Sequence, residues 1–368
     1  MSTVTTTKLD TSRSLPPTDS ENGSLRVAAT FNYWATASLP TINEIQAIFS
    51  GRSTDTRAVP CIVHDLRAHD LSQYNLNEHA FAVLRHSSAL LPPHSATVPS
   101  FHDNELMTSA YWPELISLLK SALGVRSAVA INTTVRDIPA SSPKQLNPDN
   151  PRADPKASFH PFFVVHGDYT PAGARGHMRA MLPSYFEDNS CQESTTPEEK
   201  AKFFALRQEI LNAEDAAIAA DGVRDQWDWS GRNYNGPRWA MLSVWRPLET
   251  VLRDPLAIMD PRTLFTGKPQ AQTYAKFERM YRARPGFEPE YKSENMLPIA
   301  PSDDEEHWWY WLSEQKPDEV YTLKLFDSEA HREGSQVAEC VAHSAFNLPD
   351  QDQQPLRRSA EVRVMVIW

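Results

Sequence analysis

Cysteine is rare in this 368-residue chain: Cys61, Cys191 and Cys340 are odd in number and widely scattered. No disulfide framework can be read from them, and a reducing, cytoplasmic setting is the expectation. Long apolar runs are missing too, since no stretch approaches the roughly 18 residues of a membrane-crossing helix. Positive charge is in deficit, with 36 Lys and Arg against 47 Asp and Glu. The resulting formal net charge of −11 argues against nucleic acid and anionic membranes as partners. Glycine is scarce at 12 while proline is abundant at 29, which suggests long, conformationally restricted loops around a β core. The stretch Met1 to Ser24 is rich in Thr and Ser, lacks an apolar centre and carries both charge signs. It is expected to be a disordered tail, not a secretory signal.

What is present starts with His166-Gly167-Asp168, set in the β-like run 162–170. Alternate side chains of an extended strand share a face, so His166 and Asp168 stand together with Gly167 turned away. An imidazole and a carboxylate placed this way are two of the three ligands of a non-haem Fe(II) facial triad. By itself the spacing fits equally well a hydrogen-bonded His–Asp pair on a strand. The third ligand has to be a distant His. His343, in the second β-like run 337–346, is the candidate; His177, in Gly173-Ala174-Arg175-Gly176-His177, is the alternative and is expected in a loop at the pocket mouth. His331-Arg332-Glu333 repeats the His-x-acid spacing but is expected to be a surface loop.

The C-terminal strand adds a second chemistry. Alternation places Arg357, Ser359, Glu361 and Arg363 on one face and Ala360, Val362, Val364 and Val366 on the other. The polar row could be no more than a solvated face. A guanidinium with a nearby hydroxyl also suits a dicarboxylate, which the planar fork grips through two hydrogen bonds. Arg357 and Arg358 are adjacent, so which of them turns inward stays open at this level.

The order His-x-Asp, distant His, Arg-x-Ser resembles that of Fe(II)/2-oxoglutarate-dependent oxygenases. Further stretches make the resemblance more specific: Val63-His64-Asp65-Leu66-Arg67, Thr133-Thr134-Val135-Arg136, Val244-Trp245-Arg246-Pro247-Leu248, Pro317-Asp318-Glu319-Val320, Lys324-Leu325-Phe326-Asp327-Ser328 and Ser359-Ala360-Glu361-Val362-Arg363. Together they resemble the fungal and bacterial hydroxylases and desaturases that include gibberellin desaturase, the cephalosporin methoxylation protein and a meroterpenoid endoperoxide synthase. Asn132 departs from the pattern, since relatives tend to carry His before the Thr-x-Arg element. The resemblance implies Fe(II) held by His166, Asp168 and His343, with 2-oxoglutarate and dioxygen as cosubstrates. It implies cosubstrate binding by Arg357, Ser359, Arg246 and Arg363. The implied reaction is hydroxylation, desaturation or oxidative cyclisation at an unactivated C–H of a small secondary-metabolite intermediate, with succinate and CO2 as co-products. Two other readings stand beside it: a metal-dependent hydrolase or isomerase on a cupin-like barrel, and a non-catalytic partner subunit. A homodimer is left open.

The expected fold is mainly β, a distorted double-stranded β-helix (jelly-roll) with flanking helices, formed by residues 25–368 as one domain with a helical insertion at about 172–236. Helices are expected from the capping box at Thr41 to Gly51, from Trp112-Pro113 to Gly124, from Thr196-Pro197 to about Ala220, and over Gln270 to Arg284. Strands are expected over 127–134, 160–170, 238–246, 307–312, 319–326, 337–346 and 358–368. Lys324 is expected to face the barrel interior.

Overall fold

The computed structural model describes residues 26–35, 56–95, 97–137, 158–181, 196–223, 229–268, 272–281 and 291–368. The expected Thr41–Gly51 helix, the N-terminal tail and Cys191 lie outside these residues. In chain order the strands are β1 (Arg26–Trp34), β2 (Thr56–Asp65), β3 (Phe81–Arg85), β4 (Ser127–Arg136), β5 (Ser158–Phe159), β6 (Trp239–Pro247) and β7 (Leu256–Met259). There follow β8 (Tyr274–Tyr281), β9 (Tyr291–Pro298), β10 (Trp309–Trp311), β11 (Glu319–Asp327), β12 (His343–Ala345) and β13 (Ser359–Ile367). They form a five-stranded sheet of order β1-β2-β10-β7-β12, a six-stranded sheet of order β3-β11-β6-β13-β4-β5, and the hairpin β8-β9.

Local signals explain the helices. The helix Trp112–Leu123 has Pro in its first turn and ends at Gly124, whose left-handed φ of 64° a side chain would resist. The helix Pro197–Asp221 opens on the reciprocal Thr196–Glu199 capping box and stops at Gly222. Its Phe203, Leu206 and Ile210 are buried, in one cluster with Leu115 and Leu119 of the first helix and with Val362, Val364 and Val366 of β13. The apolar row of β13 therefore packs in the core. Its polar row faces the space between the two sheets.

Three expected elements differ. Of the expected strand 337–346 only His343–Ala345 pairs as β12. The sequence pattern over Gln270 to Arg284 predicts a helix, but residues 274–281 form β8, paired antiparallel with β9 from Tyr274↔Pro298 to Tyr281↔Tyr291. Tyr274, Ala275 and Phe277 are buried there, and the cross-strand ladder outweighs the local helical preference. Residues 160–170 are not one continuous strand. Their Val164–Gly167 portion joins its neighbours by single bridges: Asn32↔Val164 to β1, His166↔His343 to β12 and Gly167↔Met296 to β9. The segment thus connects both edge strands of the five-stranded sheet. Trp309 and Trp311 are core residues, and Trp309 stacks on Phe31 with centroids 3.9 Å apart. Among the described residues no helix is long and apolar enough to cross a membrane.

Candidate active site

The His166↔His343 bridge sets the site. Each residue's N–H donates to the other's carbonyl, at 3.2 Å from His166 and 2.9 Å from His343. Residues opposed in an antiparallel pair carry their side chains on the same side, and here the ring centroids are 4.3 Å apart. Asp168 follows two residues later, its Oδ1 4.0 Å from His166 Nε2. One ligand atom from each of His166, Asp168 and His343 lies within 4.8 Å of the others, and these three are the only such group among the described residues.

The hairpin β8-β9 fixes the Asp168 backbone. Gly167 exchanges backbone hydrogen bonds with Met296, at 2.8 and 3.0 Å. Thr170 N–H donates to the Glu294 carbonyl at 3.0 Å, and its hydroxyl donates to the buried Glu294 carboxylate at 2.5 Å. Asn295 Nδ2 donates to the Asp168 carbonyl. Gly173 lies so close to the Glu294 backbone that a Cβ there would overlap it.

The donor set fits a divalent first-row metal. His166 Nδ1 lies 2.8 Å from the Val164 carbonyl, which fixes that nitrogen as the protonated one and leaves Nε2 as a lone-pair donor towards Asp168. Burial, reinforced by His343, pushes the His166 pKa down to about 3, so the ring is neutral. Asp168 Oδ2 and His343 Nδ1 are buried without hydrogen-bond partners among the described residues. Burial raises the Asp168 carboxyl, but Arg363 and the two imidazoles override it and hold it well below the usual carboxylate range. Two imidazoles and one carboxylate are the donors that such a metal takes on one face.

Beside the triad lies a small, partly open pocket between the sheets, bounded by Arg136, Ser243, Trp245, Leu256, Arg357 and Glu361 among others. Arg357 is buried, 5.4 Å over the Trp245 ring, and donates from Nη1 to the Asp254 carbonyl at 2.5 Å. Burial, with Arg136 close by, lowers its pKa to about 9, and its Nε has no hydrogen-bond partner among the described residues. Ser359 Oγ is likewise buried and unpartnered. Arg136 stands opposite Ser359 in the β13–β4 register and donates to the His160 carbonyl at 3.0 Å. Its Nη2 is 3.7 Å from Glu361 Oε2.

The seven expected site residues therefore separate. His166, Asp168 and His343 come together, and Arg357 lines the same pocket; Ser359 is buried but is not among the residues lining it. Arg363 stands at the triad, with Nη2 3.0 Å from Asp168 Oδ1. Arg246 does not join them: fully buried, it spends its donors on Tyr111 Oη, the His86 carbonyl and ring, and the Pro317 carbonyl at 2.5–2.8 Å. Alternation along β6 explains this, because Ser243 and Trp245 take the inward face. Arg358 turns outward to Glu249 at 2.9 Å. His177 is buried in a helical segment, not in a loop at the mouth, with Nδ1 2.6 Å from Tyr169 Oη. His331 stacks on Phe326 at 5.5 Å. Lys324 is fully buried against Asp327 at 2.9 Å. Arg136 was quoted from sequence only within the Thr-x-Arg stretch, with no site role, and Ser243 was not named. The available signal was the two-residue period that places Arg136 with Asn132 and Thr134.

The family model described as the oxidoreductase/YMDC permease-like domain matches residues 31–195 and 215–367. The chain is 28% identical over 369 residues to the gibberellin cluster GA4 desaturase of Gibberella fujikuroi, covering 93% of this chain and 96% of that protein. It is 26% identical over 329 residues to the alpha-ketoglutarate-dependent dioxygenase tstK of Talaromyces stipitatus, covering 89% and 91%. Among solved structures, the iron and alpha-ketoglutarate-dependent endoperoxidase NvfI shares the fold at a TM-score of 0.54 and 21% identity, covering 94% of this chain and 98% of that one.

Proposed function

We propose that this chain, which belongs to the oxidoreductase/YMDC permease-like family, is a non-haem Fe(II)- and 2-oxoglutarate-dependent oxygenase acting on a small molecule of secondary metabolism. The observation that carries the reading is the convergence of His166, Asp168 and His343 beside a buried guanidinium with an unspent donor. The two facing sheets are read as a distorted double-stranded β-helix, and residues 25–368 as one domain with a helical insertion at about 172–236.

With metal and 2-oxo acid bound, the site supplies an oxidant for a substrate C–H, and succinate and CO2 are the co-products. The protein's part is to bind, orient and exclude. His166, Asp168 and His343 hold the metal on one face. Arg357 grips the distal carboxylate of 2-oxoglutarate, with Ser359 adding a hydrogen bond. Trp245 fixes the plane of that guanidinium. Phe162, Leu256 and Leu323 line the cavity with apolar surface and limit water. Arg136 and Glu361 complete the polar wall.

A hydrolase or isomerase using the same ligands has no need of a buried carboxylate clamp. The test is succinate release from 2-oxoglutarate by the purified, Fe(II)-supplied protein in air. Turnover that depends on both Fe(II) and 2-oxoglutarate supports the reading. Metal-dependent product formation without 2-oxoglutarate overturns it.

A further inference from the structure

We propose that Arg363 is a positioning residue for Asp168 and no part of the cosubstrate clamp. This rests on the triad reading above. Arg363 Nη2 lies 3.0 Å from Asp168 Oδ1, and both side chains are largely buried. The guanidinium is fixed from two further directions. Its Cζ stands 5.4 Å over the Tyr169 ring, whose hydroxyl is itself tied to His177 Nδ1 at 2.6 Å. Its Nε is 3.8 Å from Glu361 Oε1. The β13–β4 register shifts immediately after Arg363, a bulge of the kind that re-aims a side chain.

Distance along the strand separates it from the clamp. Arg363 is six residues beyond Arg357, roughly 20 Å of extended chain. In the structure the two guanidiniums take different partners, Arg363 the Asp168 carboxylate and Arg357, just before β13, the Asp254 carbonyl. Arg363 is held by Tyr169, the residue next to Asp168, and so reports on the His-x-Asp turn. It engages Oδ1 while Oδ2 has no hydrogen-bond partner among the described residues, which leaves the carboxylate an open donor in a defined rotamer. Partners of this kind, which orient a ligand without touching the metal, typically change metal affinity by about 10- to 100-fold when removed.

The sign of the effect discriminates. Removing a positive charge beside a cation site tightens cation binding if charge alone matters. Loss of orientation weakens it. The experiment titrates Co(II) into the chelator-stripped, full-length wild type and the Arg363→Gln and Arg363→Lys variants, reading Co(II) absorption without 2-oxoglutarate. The dissociation constant for 2-oxoglutarate is then measured calorimetrically at saturating Co(II). Expected is an at least tenfold weaker Co(II) affinity for Arg363→Gln, partial recovery in Arg363→Lys, and 2-oxoglutarate binding within about threefold of wild type. Unchanged or tighter Co(II) binding in Arg363→Gln overturns the proposal, as does a more than tenfold loss confined to 2-oxoglutarate. If circular dichroism shows Arg363→Gln unfolded, Arg363→Lys carries the test: weaker Co(II) with intact 2-oxoglutarate binding supports it, and wild-type Co(II) affinity overturns it. A wild-type protein that binds no Co(II) defeats the triad reading instead.

Discussion

Replacing Arg357 by Lys keeps a positive charge in the cavity but removes the planar fork. The native guanidinium has one donor on the Asp254 carbonyl, an Nε with no partner, and the unpartnered Ser359 hydroxyl near it in sequence. A hydrogen bond to a charged group contributes about 1.5–3 kcal/mol. Losing one or both arms of a bidentate grip therefore costs about 2–4 kcal/mol, or 30- to 1000-fold in 2-oxoglutarate affinity. The adjacent Arg358→Lys change is the control. Arg358 pairs with Glu249 in a partly solvated ion pair, whose loss is worth at most about 1 kcal/mol for stability. Calorimetric titration of 2-oxoglutarate into the Co(II)-loaded proteins measures both. An Arg357→Met variant supplies a second arm. It deletes a buried charge, so the ligand-free protein melts no earlier than wild type, while the rise in melting temperature that 2-oxoglutarate gives wild type disappears. Equal and small effects at Arg357 and Arg358 would refute the clamp assignment.

Three other outcomes are expected. His343→Ala abolishes Co(II) binding and turnover with the circular dichroism spectrum retained; wild-type activity in that variant removes His343 from the ligand set. Gly173→Ala destabilises by more than about 3 kcal/mol, since its Cβ overlaps the Glu294 backbone, whereas Gly167→Ala meets mainly the movable end of Met296 and costs less; urea unfolding that ranks them the other way contradicts the hairpin's fixing role. His307 is buried against Tyr33 Oη at 2.9 Å, and burial pushes its pKa from 6.5 down to about 4. The unfolded chain then binds the proton first, so this contribution of roughly 3 kcal/mol is present above pH 6.5 and lost as pH falls towards 4. His307→Gln should flatten the stability slope in that window, and an unchanged slope would count against it.

Elements with chemical punctuation were legible in the sequence. Trp112–Leu123 and Pro197–Asp221 carry their own start and stop residues, and β13 carries its two faces in its alternation. The same-side placement of His166 and Asp168 was legible for the same reason, a fixed local period. β8 was not, because residues 274–281 become a strand only through a ladder with 291–298. The inward or outward sense of Arg246 was not legible either. Trp245 and Arg246 are neighbours on β6, and only the packing of Tyr111, His86 and Pro317 shows which of them faces outward. Alternation put Arg363 on the same face as Arg357, which is correct. That the far end of this face meets Asp168 depends on how the six-stranded sheet sits over the Val164–Gly167 segment, a relation between residues nearly two hundred positions apart.

Charge pairing narrows the clamp further than alternation can. Around the triad and its pocket, among the described residues, stand the guanidiniums of Arg136, Arg357 and Arg363 and the carboxylates of Asp168 and Glu361. Arg363 has Asp168 at 3.0 Å and Arg136 has Glu361 at 3.7 Å. Arg357 has a carbonyl, an aromatic face and a neighbouring cation, but no carboxylate within ion-pair distance among the described residues. Burying such a cation is costly unless an anion completes it, and the cost grows as the local dielectric falls. A dicarboxylate bound at Arg357 removes that cost, while one bound at Arg363 would have to displace Asp168. A divalent cation at the triad and a dianion at Arg357 leave the interior's charge as it was, whereas either one alone shifts it by two. Each should therefore favour the other's binding, by equal factors as linkage requires. On the proposed reading, Arg357 is therefore the guanidinium of this site that an acidic cosubstrate would complete.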